Sequence, residues 1–234
     1  MKGREVESLR EFLVTVDTDW APDWCIQWLI ERLLDLHYKP TVFFTNVSEV
    51  PKIFASEIEI GIHPDFSRKN FEESVIDFKH LKAEFPDAVI SRSHRNVFGQ
   101  HIARLLTENG IRFDVSTLLF NIDTSNWTDS RGLRRISYSF EDGVFLDSLG
   151  LNSVSEIYFS QKKPTIINLH PVLCYLNSVS DENRRHFTNK YVNLSQVSEM
   201  DFKNFRNISN KGIADLVWEI LKNGKQSKES IYDQ

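Results

Sequence analysis

The chain alternates short apolar runs with amphipathic helical stripes, and this order constrains the fold more than any other feature. Residues 12–16 read FLVTV and residues 41–45 read TVFFT, two β-branched apolar runs that are typical of buried strands. Between them, apolar side chains recur at helical spacing after Asp23, which we expect to cap the helix. Strand, helix and strand in this spacing predict a βαβ unit with parallel strands.

The alternation continues along the rest of the chain. Further extended runs occur at residues 58–62, 89–90, 111–113 and 165–169. Helical stripes are predicted over residues 70–81, 97–109 and 213–221. The stretch 121–160 is less regular, and residues 225–234 have the composition of a polar C-terminal tail. Because no linker or repeat divides the 234 residues, we predict one α/β domain over residues 1–224.

Composition excludes several functional classes. The formal net charge is −5 and no block is rich in Lys or Arg, so nothing indicates binding to nucleic acid or anionic lipid. No apolar run is long enough for membrane insertion, and the first ten residues do not resemble a signal peptide, so we expect a cytoplasmic protein. Cys25 and Cys174 lack a CxxC spacing, which favours two reduced thiols over a disulfide.

Residues that can bind metal or move protons follow the predicted strands where each strand ends. They are Asp17, Asp19, His63, Arg92, His94, Asp114 and His170. Ligands of parallel α/β folds bind at the carboxyl ends of strands, so these residues are predicted to converge on one pocket. An acidic pair alone is equally compatible with a solvated turn, and Arg95 is an alternative to Arg92 as the functional guanidinium.

Five segments, in the order FLVTVDTDW, TVFFTN, EIGIHPDF, SRSHR and INLHP, resemble the polysaccharide deacetylase superfamily, also called NodB-homology or carbohydrate esterase family 4. The resemblance covers residues 12–171, and the D-x-D first motif is similar to the WbmS-like branch associated with O-antigen clusters. It implies a distorted (β/α)7-type barrel with parallel strands. It also implies metal-dependent hydrolysis, usually with zinc, of N-acyl groups on sugars.

The resemblance implies a role for each motif residue. Asp17 matches the catalytic base, His170 the histidine that protonates the leaving group, and Arg92 the arginine that orients the base. Asp19 and His63 match metal ligands.

Other residues are candidates for substrate binding. Glu141 and Asp142 match an acidic partner of the arginine and are predicted to border the substrate. Trp20 lies in the loop after the first strand, where its ring can stack against a sugar. Trp24 begins the apolar stripe of the first helix and is predicted to be core.

One position departs from the family pattern. The second histidine of the family's second motif is replaced by Ser67, which leaves Asp19 and His63 as a two-residue site. A catalytic zinc site uses three protein ligands plus water. We therefore predict that His94 completes the site, with Asp65 as the alternative.

The predicted function is hydrolysis of an acetyl or formyl amide on an amino sugar or related amide, as in a surface-polysaccharide precursor. The expected cofactor is zinc and the expected substrate a small carbohydrate or nucleotide sugar; the oligomeric state is open. One alternative is a deacetylase-like carbohydrate-binding protein that has lost its metal. A DxD phosphatase is a weaker alternative, because Ala21 stands where that class has Thr or Val, and because it leaves His63 and His170 unexplained.

Overall fold

A computed structural model describes residues 9–68, 70–151, 157–160, 163–191 and 193–234. The first half contains β1 Arg10–Asp17, α1 Asp23–Asp35, β2 Thr41–Phe44, α2 Val50–Ile53, β3 Glu59–Ile62, α3 Phe71–Glu84, β4 Ile90–Ser91, α4 Gln100–Glu108 and β5 Phe113–Leu118. The second half contains β6 Asn126–Thr128, β7 Arg134–Tyr138, β8 Phe140–Glu141, α5 Asp142–Ser148, β9 Thr165–Leu169, α6 Pro171–Leu176, α7 Asp181–Thr188, α8 Glu199–Phe205, α9 Ile213–Lys222 and β10 Gly224–Gln226.

The described strands form one curled sheet. Its order is β6-β7-β5-β4-β3-β2-β1-β9-β8, with β10 paired to the first residues of β1. Neighbouring strands are parallel except β6 and β7. β7 pairs with β5 whereas β8 pairs with β9, and only Ser139 separates β7 from β8. Residues 134–141 thus connect the two ends of the sheet, which confirms the predicted α/β fold with parallel strands.

Successive side chains of a strand point to opposite faces of the sheet, and this alternation creates two apolar clusters. Val14 and Val16 of β1 pack under the helices in the larger cluster, whereas Leu13 belongs to a smaller cluster on the concave side of the sheet. This inner cluster also contains the Phe43 ring, and a Cβ atom on Gly61 would lie 2.5 Å from that ring. The inner cluster thus fills the concave side below the strand ends.

The predicted C-terminal tail is part of the fold. Gly224–Gln226 pair in parallel with β1, and Ile231 is 2% exposed within the inner cluster. The Ser227 backbone N–H donates to the Phe12 carbonyl at 2.9 Å. The polar composition of residues 225–234 conceals a short parallel strand and two side chains, Ile231 and Tyr232, that pack with the inner cluster.

Two other boundaries differ from the sequence prediction. The predicted strand at 111–113 runs instead over Phe113–Leu118, and the irregular stretch 121–160 contains β6, β7, β8 and α5. Asp114 is therefore the second residue of a strand and not a strand end. Its carboxylate pairs with Arg135 at 2.7 Å, so it does not join the other strand-end residues. No helix in the described ranges is long and apolar enough to cross a membrane.

Candidate metal and catalytic site

A cavity of about 440 Å³ opens at the carboxyl ends of the parallel strands. Its lining includes Asp17, Asp19, Trp20, His63, His94, Glu141 and His170. Asp17 is the last residue of β1, while His63 and His170 immediately follow β3 and β9. Parallel strands bring these ends to one edge, which is why residues far apart in sequence meet here.

Asp19, His63 and His94 form a compact cluster of possible metal ligands. The Asp19 Oδ1 atom lies 3.2 Å from His63 Nε2 and 3.1 Å from His94 Nδ1, and the two histidine nitrogens are 3.4 Å apart. Ligand atoms about 2.0–2.1 Å from a zinc ion at tetrahedral angles are about 3.3 Å apart, so this spacing fits zinc. Three protein donors also leave the fourth position open, as in catalytic zinc sites.

The two turns that carry Asp19 and His94 contain left-handed backbone at non-glycine residues. Asp19 and Trp20 have φ values of 43° and 56°, and Arg95 and Asn96, directly after His94, have φ values of 57° and 56°. Such conformations are uncommon outside glycine and concentrate at functional sites. The first turn is held by Thr45, whose hydroxyl accepts the Trp20 backbone N–H at 2.8 Å.

Asp17 is held by a guanidinium and an amide. Arg92 Nη1 donates to Asp17 Oδ1 at 3.0 Å, and Asn168 Nδ2 donates to Asp17 Oδ2 at 2.8 Å. Burial opposes ionisation, but the charges of Arg92 and His63 hold the pKa of Asp17 below its usual value. Asp17 is therefore a buried carboxylate that stays ionised and is fixed in one orientation.

Arg92 is itself fully buried on the concave side of the sheet. Besides Asp17, its guanidinium donates to the Thr15 hydroxyl at 2.9 Å, to Asn168 Oδ1 and to the Val115 carbonyl at 3.2 Å. The guanidinium carbon also lies 4.2 Å from the centre of the Tyr138 ring. These contacts orient Arg92 toward Asp17 and leave Arg95 at the exposed rim of the cavity.

His170 is held by Asp142. The Asp142 Oδ1 atom lies 2.6 Å from His170 Nδ1, and its Oδ2 accepts the His170 backbone N–H at 2.8 Å. Although burial favours the neutral ring, Asp142 holds the pKa of His170 well above its usual value. His170 Nε2 faces the metal cluster, 3.7 Å from Asp19 Oδ2. The resemblance predicts Asp142 as an acidic partner of Arg92 at the border of the substrate. The structure instead pairs Asp142 with His170, and Asp142 is fully buried.

Glu141 and Trp20 line the cavity, as expected for substrate contacts. The Tyr138 hydroxyl donates to Glu141 Oε2 at 2.5 Å, and burial raises the pKa of Glu141. Glu141 therefore pairs with Tyr138 and not with Arg92. The Trp20 ring packs edge-to-face against His94 with centroids 5.0 Å apart, whereas Trp24 packs against core aromatic rings.

The comparisons with known proteins agree with this geometry. A family model described as WbmS-like polysaccharide deacetylase matches residues 14–188. The chain belongs to this family. Its members are deacetylases, hydrolases that act on amides. The comparison with curated proteins finds no match.

One solved structure extends the likeness of this WbmS-like deacetylase to the fold. The WbmS protein of Bordetella bronchiseptica, assigned as a polysaccharide deacetylase involved in O-antigen biosynthesis, has a TM-score of 0.74 at 21% identity over 92% of both chains. A protein of Mycobacterium smegmatis assigned as a polysaccharide deacetylase has a TM-score of 0.44 at 11% identity, covering 70% of this chain and 77% of its own. A 4-alpha-glucanotransferase of Thermococcus litoralis has a TM-score of 0.42 at 12% identity, covering 68% and 32%.

Ser67 stands where the resemblance implies a second histidine. Its backbone N–H and its hydroxyl both donate to Asp65 Oδ1, at 2.9 and 2.6 Å. Asp65 is therefore engaged with its own loop and is not part of the metal cluster, which contains His94.

Two polar side chains of the deacetylase site were not predicted from the sequence. Thr15 and Asn168 are buried and both contact Arg92. Each lies two residues before a strand-end residue, Asp17 and His170 respectively, and thus on the same face of its strand. A polar residue at that spacing inside an apolar run is the signal that would have identified them.

Proposed function

We propose that this deacetylase is a metal-dependent hydrolase that removes an acetyl or formyl group from the nitrogen of an amino sugar or related amide. The observation that carries the proposal is the Asp19–His63–His94 cluster between two oriented pairs, Asp17 with Arg92 and His170 with Asp142. A surface-polysaccharide precursor in the cytoplasm is the proposed substrate, in keeping with the sequence expectation.

Asp19, His63 and His94 would hold the ion. His63 Nδ1 lies 3.8 Å from Asp17 Oδ1 and has no hydrogen-bond partner in the part of the chain that the structure describes. Its Nε2 atom is thus the one that faces the cluster. Zinc fits this nitrogen- and oxygen-donor set, and when bound it would supply Lewis-acid activation of water and of the amide carbonyl.

Asp17 would act as the general base. Its ionised carboxylate would accept a proton from the water that attacks the amide carbon. Arg92 and Asn168 would keep this carboxylate ionised and in place before the substrate arrives, because their contacts are made within the protein.

His170 would act as the general acid. Asp142 holds its Nδ1 side, so Nε2 is the atom that would donate a proton to the nitrogen of the breaking carbon–nitrogen bond. Water is consumed, and the products are the free acid of the acyl group and the amine. Trp20 and Glu141 would contact the sugar ring from the cavity wall.

The test combines metal analysis with acetate release from N-acetylated sugars. We expect about one zinc ion per wild-type chain, and loss of both zinc and turnover in Asp19→Ala and His94→Ala. His170→Ala should keep the zinc and lose most turnover. His80 is exposed, so His80→Ala is the matched control and should keep both zinc and turnover. A wild-type protein that takes up no zinc at saturation would instead support the binding-only alternative. Full activity in Asp19→Ala would contradict the proposed mechanism.

A further inference from the structure

The lining of the cavity that contains the metal cluster also includes three arginines that the proposed reaction does not use. Arg95 lines it from the turn after His94, and Arg184 and Arg185 line it from α7. Three arginines thus line one cavity although the chain has a net charge of −5. We refer to Arg95, Arg184 and Arg185 as the arginine wall.

The two arginines of α7 are oriented by one carboxylate. Arg184 Nε lies 2.7 Å from Asp181 Oδ1, and Arg185 Nε lies 2.5 Å from Asp181 Oδ2. Asp181 is buried, so it holds both side chains by their Nε atoms. Within the described ranges, the terminal Nη nitrogens of both arginines have no hydrogen-bond partner. These nitrogens are the donors that bind phosphate and carboxylate groups in pairs.

Arg95 contributes a charge from the opposite turn. It is exposed, lies next to the metal-cluster residue His94, and has no carboxylate partner among the residues described. Asp181 is the carboxylate that pairs with Arg184 and Arg185, so one negative charge is set against two guanidinium groups, and Arg95 adds a third. Within the described ranges, the other carboxylates of the lining, on Asp17, Asp19, Glu141 and Asp147, form no ion pair with these three arginines. Arg95 itself has left-handed backbone, with φ 57°, in the turn that directly follows His94.

We propose that the arginine wall binds an anionic group, a phosphate or a carboxylate, on the same molecule whose amide is hydrolysed. The substrate class is then an anionic acylamino sugar: a sugar phosphate, with nucleotide sugars included, or a uronic acid. This inference rests on the proposed function, because it places the amide between Asp17 and His170. The cavity of about 440 Å³ lies in the range of pockets that enclose small ligands.

Binding is tested with glucose 1-phosphate, glucuronate and glucose, none of which has an amide to hydrolyse. Calorimetric titration of the zinc-loaded protein should give at least about tenfold tighter binding for one charged probe than for glucose. Arg95→Gln and Arg184→Gln should each weaken that binding about tenfold, the loss expected for one charge-assisted hydrogen bond. Arg104→Gln, an exposed arginine on α4 outside the cavity, should change nothing. The probe that gains affinity distinguishes phosphate from carboxylate.

Two results would overturn the proposal. One is equal affinity for charged and neutral probes, and the other is a preference for the charged probe that survives in both arginine variants, since it would then come from the metal. Turnover separates this inference from the proposed function: kcat/KM is compared for N-acetylglucosamine 1-phosphate and N-acetylglucosamine. If both are hydrolysed equally, the arginine wall is wrong and the function stands. If charged probes bind through the arginines but no amide is hydrolysed, the function is wrong and the wall stands.

Discussion

In the described part of the chain, two aspartate–arginine pairs have both side chains buried, and of their two aspartates only Asp17 lines the cavity. Asp17 pairs with Arg92 at 3.0 Å, and Asp114 pairs with Arg135 at 2.7 Å. Both aspartates are almost completely buried. By sequence alone the two are alike, because each acid follows a short apolar run.

The two carboxylates nevertheless have opposite electrostatic environments. Arg92 and His63 outweigh burial at Asp17 and lower its pKa, whereas at Asp114 burial outweighs Arg135 and raises the pKa. Asp17 also ends its strand on the concave side, while Asp114 points away from the inner cluster to which its neighbour Val115 belongs. A buried ion pair is therefore not itself a site. Asp17 differs from Asp114 because it has a second cationic neighbour in His63, a hydrogen bond from the Asn168 amide and a position at the end of its strand.

The largest expected effect is on turnover. Asp17→Asn removes the proposed general base, so kcat should fall by about 10²–10⁴ while zinc content is kept. Asp114→Asn should retain wild-type turnover, since that carboxylate does not contact the cavity. Acetate release by the two zinc-loaded variants measures this. An equal loss in Asp114→Asn would remove the distinction between the two pairs.

A third buried aspartate, Asp142, extends the comparison because its partner is a histidine. Asp142 raises the pKa of His170, so Asp142→Asn should let His170 lose its proton at lower pH. The high-pH limb of the pH–rate profile should therefore shift to lower pH. Above that limb, turnover should fall about tenfold for each unit by which the pKa of His170 is lowered. A loss of the same size at every pH would indicate only a structural role for Asp142.

Exchanging each arginine for lysine tests whether the shape of the cation matters. Lysine lacks the planar fork with which Arg92 reaches Asp17, Thr15 and Asn168 together, so Arg92→Lys should lower kcat about tenfold. Arg135→Lys should leave kcat unchanged, because its partners Asp114 and Thr117 and the rings of Phe98 and Trp127 do not line the cavity. Steady-state kinetics on both variants gives the answer, and a matching loss in Arg135→Lys would contradict the assignment.

The smallest expected effect is on stability as a function of pH. The folded pKa of Asp17 is depressed, so its stabilisation is complete above the unfolded pKa and is lost as pH falls through the folded value. Asp114 has a raised folded pKa, so its contribution is complete below the unfolded pKa and is lost as pH rises through the folded value. Each pKa unit changes the free energy of unfolding by about 1.4 kcal/mol.

Urea unfolding between about pH 3 and pH 7 measures these opposite trends. The stability difference between wild type and Asp17→Asn should shrink toward low pH. The difference between wild type and Asp114→Asn should shrink toward neutral pH. Two differences that change with pH in the same direction would show that the two carboxylates do not differ as described.

Much of the site was predictable because strand ends are visible in the sequence. Asp17, His63 and His170 each follow an apolar run that became a strand, and the prediction that His94 lies with Asp19 and His63 agrees with the observed cluster. Their catalytic and metal-binding roles stay predictions until the variants are measured.

Other features depended on contacts that local sequence does not encode. Asp142 was predicted beside Arg92 but holds His170, because the pairing of β8 with β9 places the start of α5 next to the end of β9. Asn168 and Thr15 contact Arg92 only through the register of β1 against β9. Ile231 was predicted in a tail because a single apolar residue in a polar segment carries no periodic signal.

The sequence by itself determined the alternating α/β order, the parallel strands and the chemistry at their ends, because burial imposes a period of two on strands and 3.6 on helices. Only the tertiary structure decided which partner each buried charge has. Asp17 and Asn168 are 151 positions apart in the sequence, and their hydrogen bond exists only because the curled sheet places β1 beside β9. That register, and not the identity of the residues, separates the Asp17–Arg92 pair in the cavity from the Asp114–Arg135 pair outside it.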